Sequence, residues 1–243
     1  MNPRIADLWV YLSASPLLGL TLTLLAYQGA WWVHRRCGAS PLANPVLIAV
    51  AALVALLLAT GTPYPTYFDG AQFVHFLLGP ATVALAVPLY QQFGRVRAML
   101  LPVLGGLLAG SLTAALSAVA IARLFGASPA TQLSLAPKSV TTPIAMGIAE
   151  RLGGIPSLTA VLVIATGILG AVGARYLFDF LRVRDTAIRG FALGVASHGI
   201  GTARAFQVSE QTGAFAALAM GMNGIVTALL VPLLIPLFGQ AAS

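Results

Sequence analysis

The stretch "LAPKSVTTPIAMG", residues 135–147, decides how this chain is read. It sets one lysine, three hydroxyl residues and two prolines inside a sequence that otherwise reads as lipid-soluble. Thr142 precedes Pro143, which pushes Thr142 out of the α region. Proline suits the first helical position and a threonine before it can act as a cap. A short helix is therefore expected from Pro143 to about Leu152, where Gly153, Gly154 and Pro156 stop it. Residues 137–142 then have to be non-helical. At membrane depth such backbone is tolerated only inside protein or beside a water-filled cavity. The hydroxyls of Ser139, Thr141 and Thr142 would line that cavity. The helix start offers free N–H groups and a partial positive charge, and Lys138 adds a full one, so the expected guest is a small anion.

The surrounding composition supports a bilayer setting. Of 243 residues, 58% are hydrophobic and 8% charged, whereas a soluble domain carries roughly 25% charged residues. Alternating barrel strands are absent, so the fold class expected is an all-α integral membrane protein. Apolar runs at 8–29, 44–60, 71–91, 99–122, 156–178, 190–211 and 213–238 give about seven transmembrane helices. The proline-broken stretch 128–152 is expected to be a re-entrant element. The whole chain, 1–243, is expected to form a single transmembrane domain.

The net charge of +7 does not point to nucleic acid, because the basic residues sit in short clusters between apolar runs. Arg35 and Arg36, Arg95 and Arg97, and Arg182, Arg184 and Arg189 mark loops expected in the cytoplasm. All three lie there only if 128–152 dips in and returns on the same side. The single Cys37 excludes a disulfide framework. No Walker loop, Ser-His-Asp order, zinc motif or dinucleotide fingerprint is present, and neither enzyme chemistry nor a cofactor is expected.

An internal echo extends the argument. Without gaps, residues 138–154 fall on 198–214, placing Thr142 on Thr202 and Glu150 on Glu210. Transporter folds with internal repeats place broken helices at corresponding positions, with substrate at the breaks. On this reading Gly199 and Gly201 loosen the second copy, Thr202 caps, and a helix runs from Ala203. Arg204 lies in its first turn, where a cation is explicable if it faces a bound anion, and guanidinium matches carboxylate. The alternative for Lys138 is a side chain snorkelling to the interface, and for Arg204 a packing pair with Glu150 or Glu210. Glu150 and Glu210 are candidate proton carriers, with solvated helix ends as the plain alternative. His198 is a candidate substrate contact or a satisfied core histidine. Asn223 is either a substrate contact or a helix–helix hydrogen-bonding residue.

The motifs at 136–160, "ASHGIGTARAF" (196–206) and "GMNGIVTALLVPLL" (221–234), with "SPLLGLTLTLLAYQGAWW" (15–32) and "NPVLIAV" (44–50), strongly resemble the LrgB/CidB family. That resemblance implies a bacterial inner-membrane protein that works with a small LrgA/CidA-type membrane partner. It implies either holin- or antiholin-like control of murein hydrolases and lysis, or transport of small carboxylates such as pyruvate, glycolate and glycerate. A homo-oligomer is expected. The two functional expectations are a carrier of small monocarboxylates, with Lys138, Ser139, Thr141, Thr142, His198, Thr202, Arg204 and Asn223 at its site, and a holin-like regulator.

Overall fold

The computed structural model describes residues 16–234, and the parts of the expected spans 8–29 and 213–238 beyond those limits lie outside the described residues. Every regular element among the described residues is helical. The chain divides into two compact units, one up to Ala84 and one from Leu85.

The first unit holds α1 (Pro16–Arg36), α2 (Pro45–Thr60), α3 (Tyr64–Phe76) and α4 (Leu78–Ala84). Asn44 starts α2, its side-chain oxygen accepting from the N–H groups of Val46 at 2.9 Å and Leu47 at 3.2 Å. His34 Nδ1 donates to the carbonyl of Ala43 at 2.9 Å and ties the end of α1 to that cap. Gly19 on α1 lies so close to the Tyr67 carbonyl on α3 that a Cβ has no room, and Thr23 and the Tyr67 hydroxyl hydrogen-bond at 2.7 Å.

The second unit holds α5 (Ala86–Gln91), α6 (Phe93–Ala98), α7 (Leu100–Leu124), α8 (Pro129–Leu135), α9 (Thr142–Arg151), α10 (Pro156–Phe180), α11 (Thr186–Val208) and α12 (Glu210–Leu234). The expected span 71–91 is not one helix. Proline lacks an N–H and its ring clashes with the carbonyl four residues back. Pro80, Pro88 and Pro102 each stand four residues beyond the last residue of a short helix, at Phe76, Ala84 and Ala98. Only α7, α10 and α12 among the described helices are long and apolar enough to cross a bilayer, and α2 is a shorter apolar helix.

The expected span 190–211 is also corrected. Within α11, Ser197 (φ −129°, ψ 15°) and His198 (φ 41°, ψ −133°) leave the helical region. A Cβ built on Gly201 would lie 2.8 Å from the Leu193 carbonyl oxygen and 2.6 Å from Ser197 Cβ. In a continuous helix residues eight apart are separated by about 12 Å. The chain therefore reverses at Ser197–His198, and α11 is a helical hairpin, not a crossing.

A second hairpin is built from α8 and α9. The chain after α9 returns to α8, where Ile155 N–H donates to Ser134 Oγ at 2.7 Å and Thr159 Oγ1 donates to the Ser134 carbonyl at 3.1 Å. The stretch 128–152 thus folds back on itself, bringing Ile155 to Ser134. Helix α9 begins one residue earlier than expected, with Thr141, not Thr142, in the cap position and no side-chain capping bond.

The two hairpins approach from opposite ends of the three long helices. Ala136, Val140, Ala145 and Ile148 of the first hairpin pack with Ala115 and Val119 of α7, Val163 of α10 and Val231 of α12. The second hairpin packs on the other halves. Val195 fills the space beside Gly110 of α7, Ser197 that beside Gly170 of α10, and Gly190 and Gly194 press on the Thr212 and Ala216 carbonyls of α12. At that end Arg95 pairs with Asp185 at 2.8 Å and Arg189 with Asp179 at 2.6 Å.

A candidate anion site between two hairpin tips

The tips of both hairpins reach one cavity of about 740 Å³. Its walls come from the first half of α7, the second half of α10 and the first arm of α11. Lys138 and Ser139 enter from one tip and Ser197 from the other. The remaining lining is almost wholly apolar, including Val103, Leu169, Phe191, Val195 and Phe215, with Thr166 the other hydroxyl. The cavity runs from the tips to Met99 and Ala187, near the starts of α7 and α11. Beyond the tips in the other direction the cluster around Val140, Ile148 and Val231 fills the space.

Lys138 is the only charged residue on this wall. Its Nζ donates to Ser139 Oγ at 3.3 Å, and none of the ion pairs among the described residues includes it. A cation drawn into apolar surroundings without a carboxylate is costly, and intramembrane charges mark functional sites by default.

Asn223 holds the two tips. Its Nδ2 donates to the Ser139 carbonyl at 3.2 Å and to the Val195 carbonyl at 2.9 Å. Its Oδ1 accepts from Ser111 at 2.6 Å and from Thr227 at 3.1 Å. Val195 needs that donor for a geometric reason. In an unbroken helix its carbonyl would accept from the N–H of residue 199, and the reversal removes that partner. Asn223 therefore makes its bonds to protein, in a helix-to-helix role.

His198 also has a local partner. Its Nε2 donates to the Val163 carbonyl at 3.0 Å, anchoring the second tip to α10, and its ring occupies the space left by Gly167. The Thr202 hydroxyl donates back to the His198 carbonyl at 2.8 Å, one turn inside the returning arm, so it does not cap. The gapless overlay of Thr142 on Thr202 is consequently out of phase with the two helix starts.

The remaining candidates lie off the cavity wall. Arg204 is half-buried on the returning arm, and its Nη1 donates to Gln207 Oε1 at 2.9 Å. Thr141 and Thr142 are half-buried at the start of α9. Glu150 and Glu210 are exposed, the first near the end of α9 and the second at the first residue of α12, where a carboxylate complements the helix dipole. Of the expected residues, Lys138 and Ser139 share the cavity. Ser197 joins them and was not singled out by sequence, although its position beside His198 in "SHGIG" is the available signal.

Outside the membrane-spanning segments, Asp185 is the informative ionisable group. Its carboxylate accepts from the N–H groups of Ala187 at 2.8 Å and Ile188 at 3.1 Å and so caps α11. The Ile188 bond is the largest influence, and although burial opposes it, the Ala187 bond and Arg95 add to it and hold the pKa below the ordinary aspartate value.

Three long apolar helices and two helical hairpins around a partly open cavity define a helical membrane protein with broken-helix elements. The chain belongs to the LrgB-like family, whose sequence profile it matches over residues 23–237. It is 36% identical to the uncharacterized protein YwbG of Bacillus subtilis (strain 168), over 90% of this chain and 97% of that protein. It is 30% identical to a holin-like protein CidB of Staphylococcus epidermidis, over 94% of this chain and 98% of that one. It is also 30% identical to an antiholin-like protein LrgB of Bacillus cereus, over 93% of this chain and 98% of that one. No solved structure matches the chain.

Proposed function

We propose that this protein carries small monocarboxylate anions across the membrane, binding them between the two hairpin tips with Lys138 as countercharge. The observation that carries the reading is a lone lysine on an otherwise uncharged, mostly apolar wall. One cation balances one negative charge, and apolar walls favour an organic anion over a fully hydrated inorganic one. A cavity of this size falls in the range of small-molecule sites, roughly 300–1,000 Å³. Each of α7 and α10 is followed by a hairpin, and the two hairpins point in opposite directions. We take these pairs as inverted counterparts, the arrangement from which alternating access to a midplane site is built. The positive-inside rule assigns the end bearing Arg95, Arg182, Arg184 and Arg189 to the cytoplasm of a bacterial inner membrane. The cavity then runs towards the cytoplasmic side.

The second reading is a holin- or antiholin-like regulator of murein hydrolases, acting as a homo-oligomer or with a small LrgA/CidA-type partner. The holin-like and antiholin-like names of the Staphylococcus and Bacillus cereus relatives favour it. Proteoliposomes loaded with an uncharged dye and exposed to labelled pyruvate or glycolate separate the two. The carrier reading requires saturable uptake with the dye retained. Dye release without saturable uptake selects the second reading.

A further inference from the structure

The cavity is much longer than a three-carbon acid, and its polar groups are gathered at one end. Asn223 bonds the Ser139 carbonyl, the Val195 carbonyl and the Ser111 hydroxyl, so the tip bearing Lys138 stands level with Val195 on α11 and Ser111 on α7. Thr166 belongs to the same level, next to Gly167, which faces the His198 ring. From there the wall continues along the first arm of α11 to Ala187, eight residues away or about 12 Å of helix. Along α7 it continues through Gly106 and Val103 to Met99, about 18 Å from Ser111. No charged or polar side chain lines the cavity between the level of Val195 and that far end.

This arrangement sorts guests by what lies behind their carboxylate. Along the wall a second carboxylate meets no cation, an ammonium meets no carboxylate, and a chain of hydroxyls meets no hydrogen-bond partner, so each costs desolvation. An alkyl chain meets matching apolar surface and gains up to about fourfold in affinity for every methylene buried. A carbon–carbon bond advances a chain by at most about 1.5 Å, so about 12 Å of wall takes about eight of them. Resting on the carrier reading above, we propose that the cavity takes monocarboxylates with an unbranched alkyl chain of up to about eight carbons. The carboxylate sits on Lys138 and the chain lies between α7 and the first arm of α11, pointing towards Ala187.

The test is competition against labelled pyruvate uptake in proteoliposomes strongly buffered on both faces. The unlabelled competitors are propionate, butyrate, hexanoate and octanoate, with octan-1-ol as the uncharged chain. Half-inhibitory concentrations are expected to fall by at least about tenfold from butyrate to octanoate, and octan-1-ol to stay at least about tenfold weaker than octanoate. Ala192 lines the wall between Val195 and Ala187, so Ala192→Leu and Ala192→Phe, which fill it, are expected to flatten the series progressively. A flat series in the wild type, octan-1-ol as potent as octanoate, or an unchanged series in both variants overturns the alkyl-chain assignment and leaves the carrier reading standing. A wild type without saturable pyruvate uptake overturns the carrier reading. Octanoate must then still raise the melting temperature of the wild type in nanodiscs, and not that of Lys138→Met, or the assignment falls as well.

Discussion

Replacing Asn223 by alanine removes four buried hydrogen bonds at once, those to Ser139, Val195, Ser111 and Thr227. The losses are unequal. The single Ser111 proton can turn to the Leu107 carbonyl, also within 2.7 Å, whereas the carbonyl of Val195 lost its helical partner to the chain reversal. Polar contacts between membrane helices average about 0.6 kcal/mol, and each buried group left unsatisfied costs about 1–3 kcal/mol. Two orphaned carbonyls and one orphaned threonine hydroxyl therefore give a loss of about 3 kcal/mol. For a chain of this size that lowers Tm by about 6–12 °C, at roughly 2–4 °C per kcal/mol. Thermal unfolding in detergent, followed by tryptophan fluorescence and circular dichroism, reads the shift directly. Ser111→Ala, which leaves Asn223 bound to both tips, is expected to cost about 1 kcal/mol or less. An Asn223→Ala protein melting within about 2 °C of the wild type would refute the assignment of Asn223 as the clamp between the tips.

Other expectations follow from the same packing. Gly194→Ala drives a Cβ into the Ala216 carbonyl of α12 and should destabilise by about 1–3 kcal/mol, whereas Gly221→Ala, with open space around it, should be neutral or slightly stabilising in the same melt. Because Asp185 titrates below its unfolded value, its contribution is present at neutral pH and lost as the pH falls through the folded value. Asp185→Ala should thus lower stability by about 1 kcal/mol near pH 7, and the gap to wild type should close as the pH drops below about 4. Arg204→Ala should keep carboxylate uptake within about twofold of wild type, since Arg204 bonds Gln207 off the cavity wall; uptake at background would return Arg204 to the binding site.

The sequence shows its breaks where proline makes them. Pro129, Pro137 and Pro143 announce the first hairpin, and the same rule applied to Pro80, Pro88 and Pro102 would have divided 71–91 and bounded the helix before α7. The second hairpin has no such marker. Its reversal rests on His198 adopting a positive φ and on glycines 190, 194 and 201 allowing backbone contact, and an apolar, glycine-rich run reads equally well as a crossing. Lys138 was legible because a lysine is conspicuous in an apolar stretch. Arg204 was equally conspicuous, but whether a cation faces a cavity or a neighbouring glutamine depends on the direction of the arm that bears it. Ser197 was hidden because a serine among small residues is ordinary in a membrane helix, and only its missing partner distinguishes it.

The central claim is that the two hairpin tips cradle an anion against Lys138. Initial rates of labelled pyruvate uptake into proteoliposomes, compared among wild type, Lys138→Met and Lys138→Arg, test it most directly. Flux at the protein-free background is expected for methionine, which keeps the bulk and loses the charge, and partial, saturable flux for arginine. Wild-type flux through the methionine variant would contradict it.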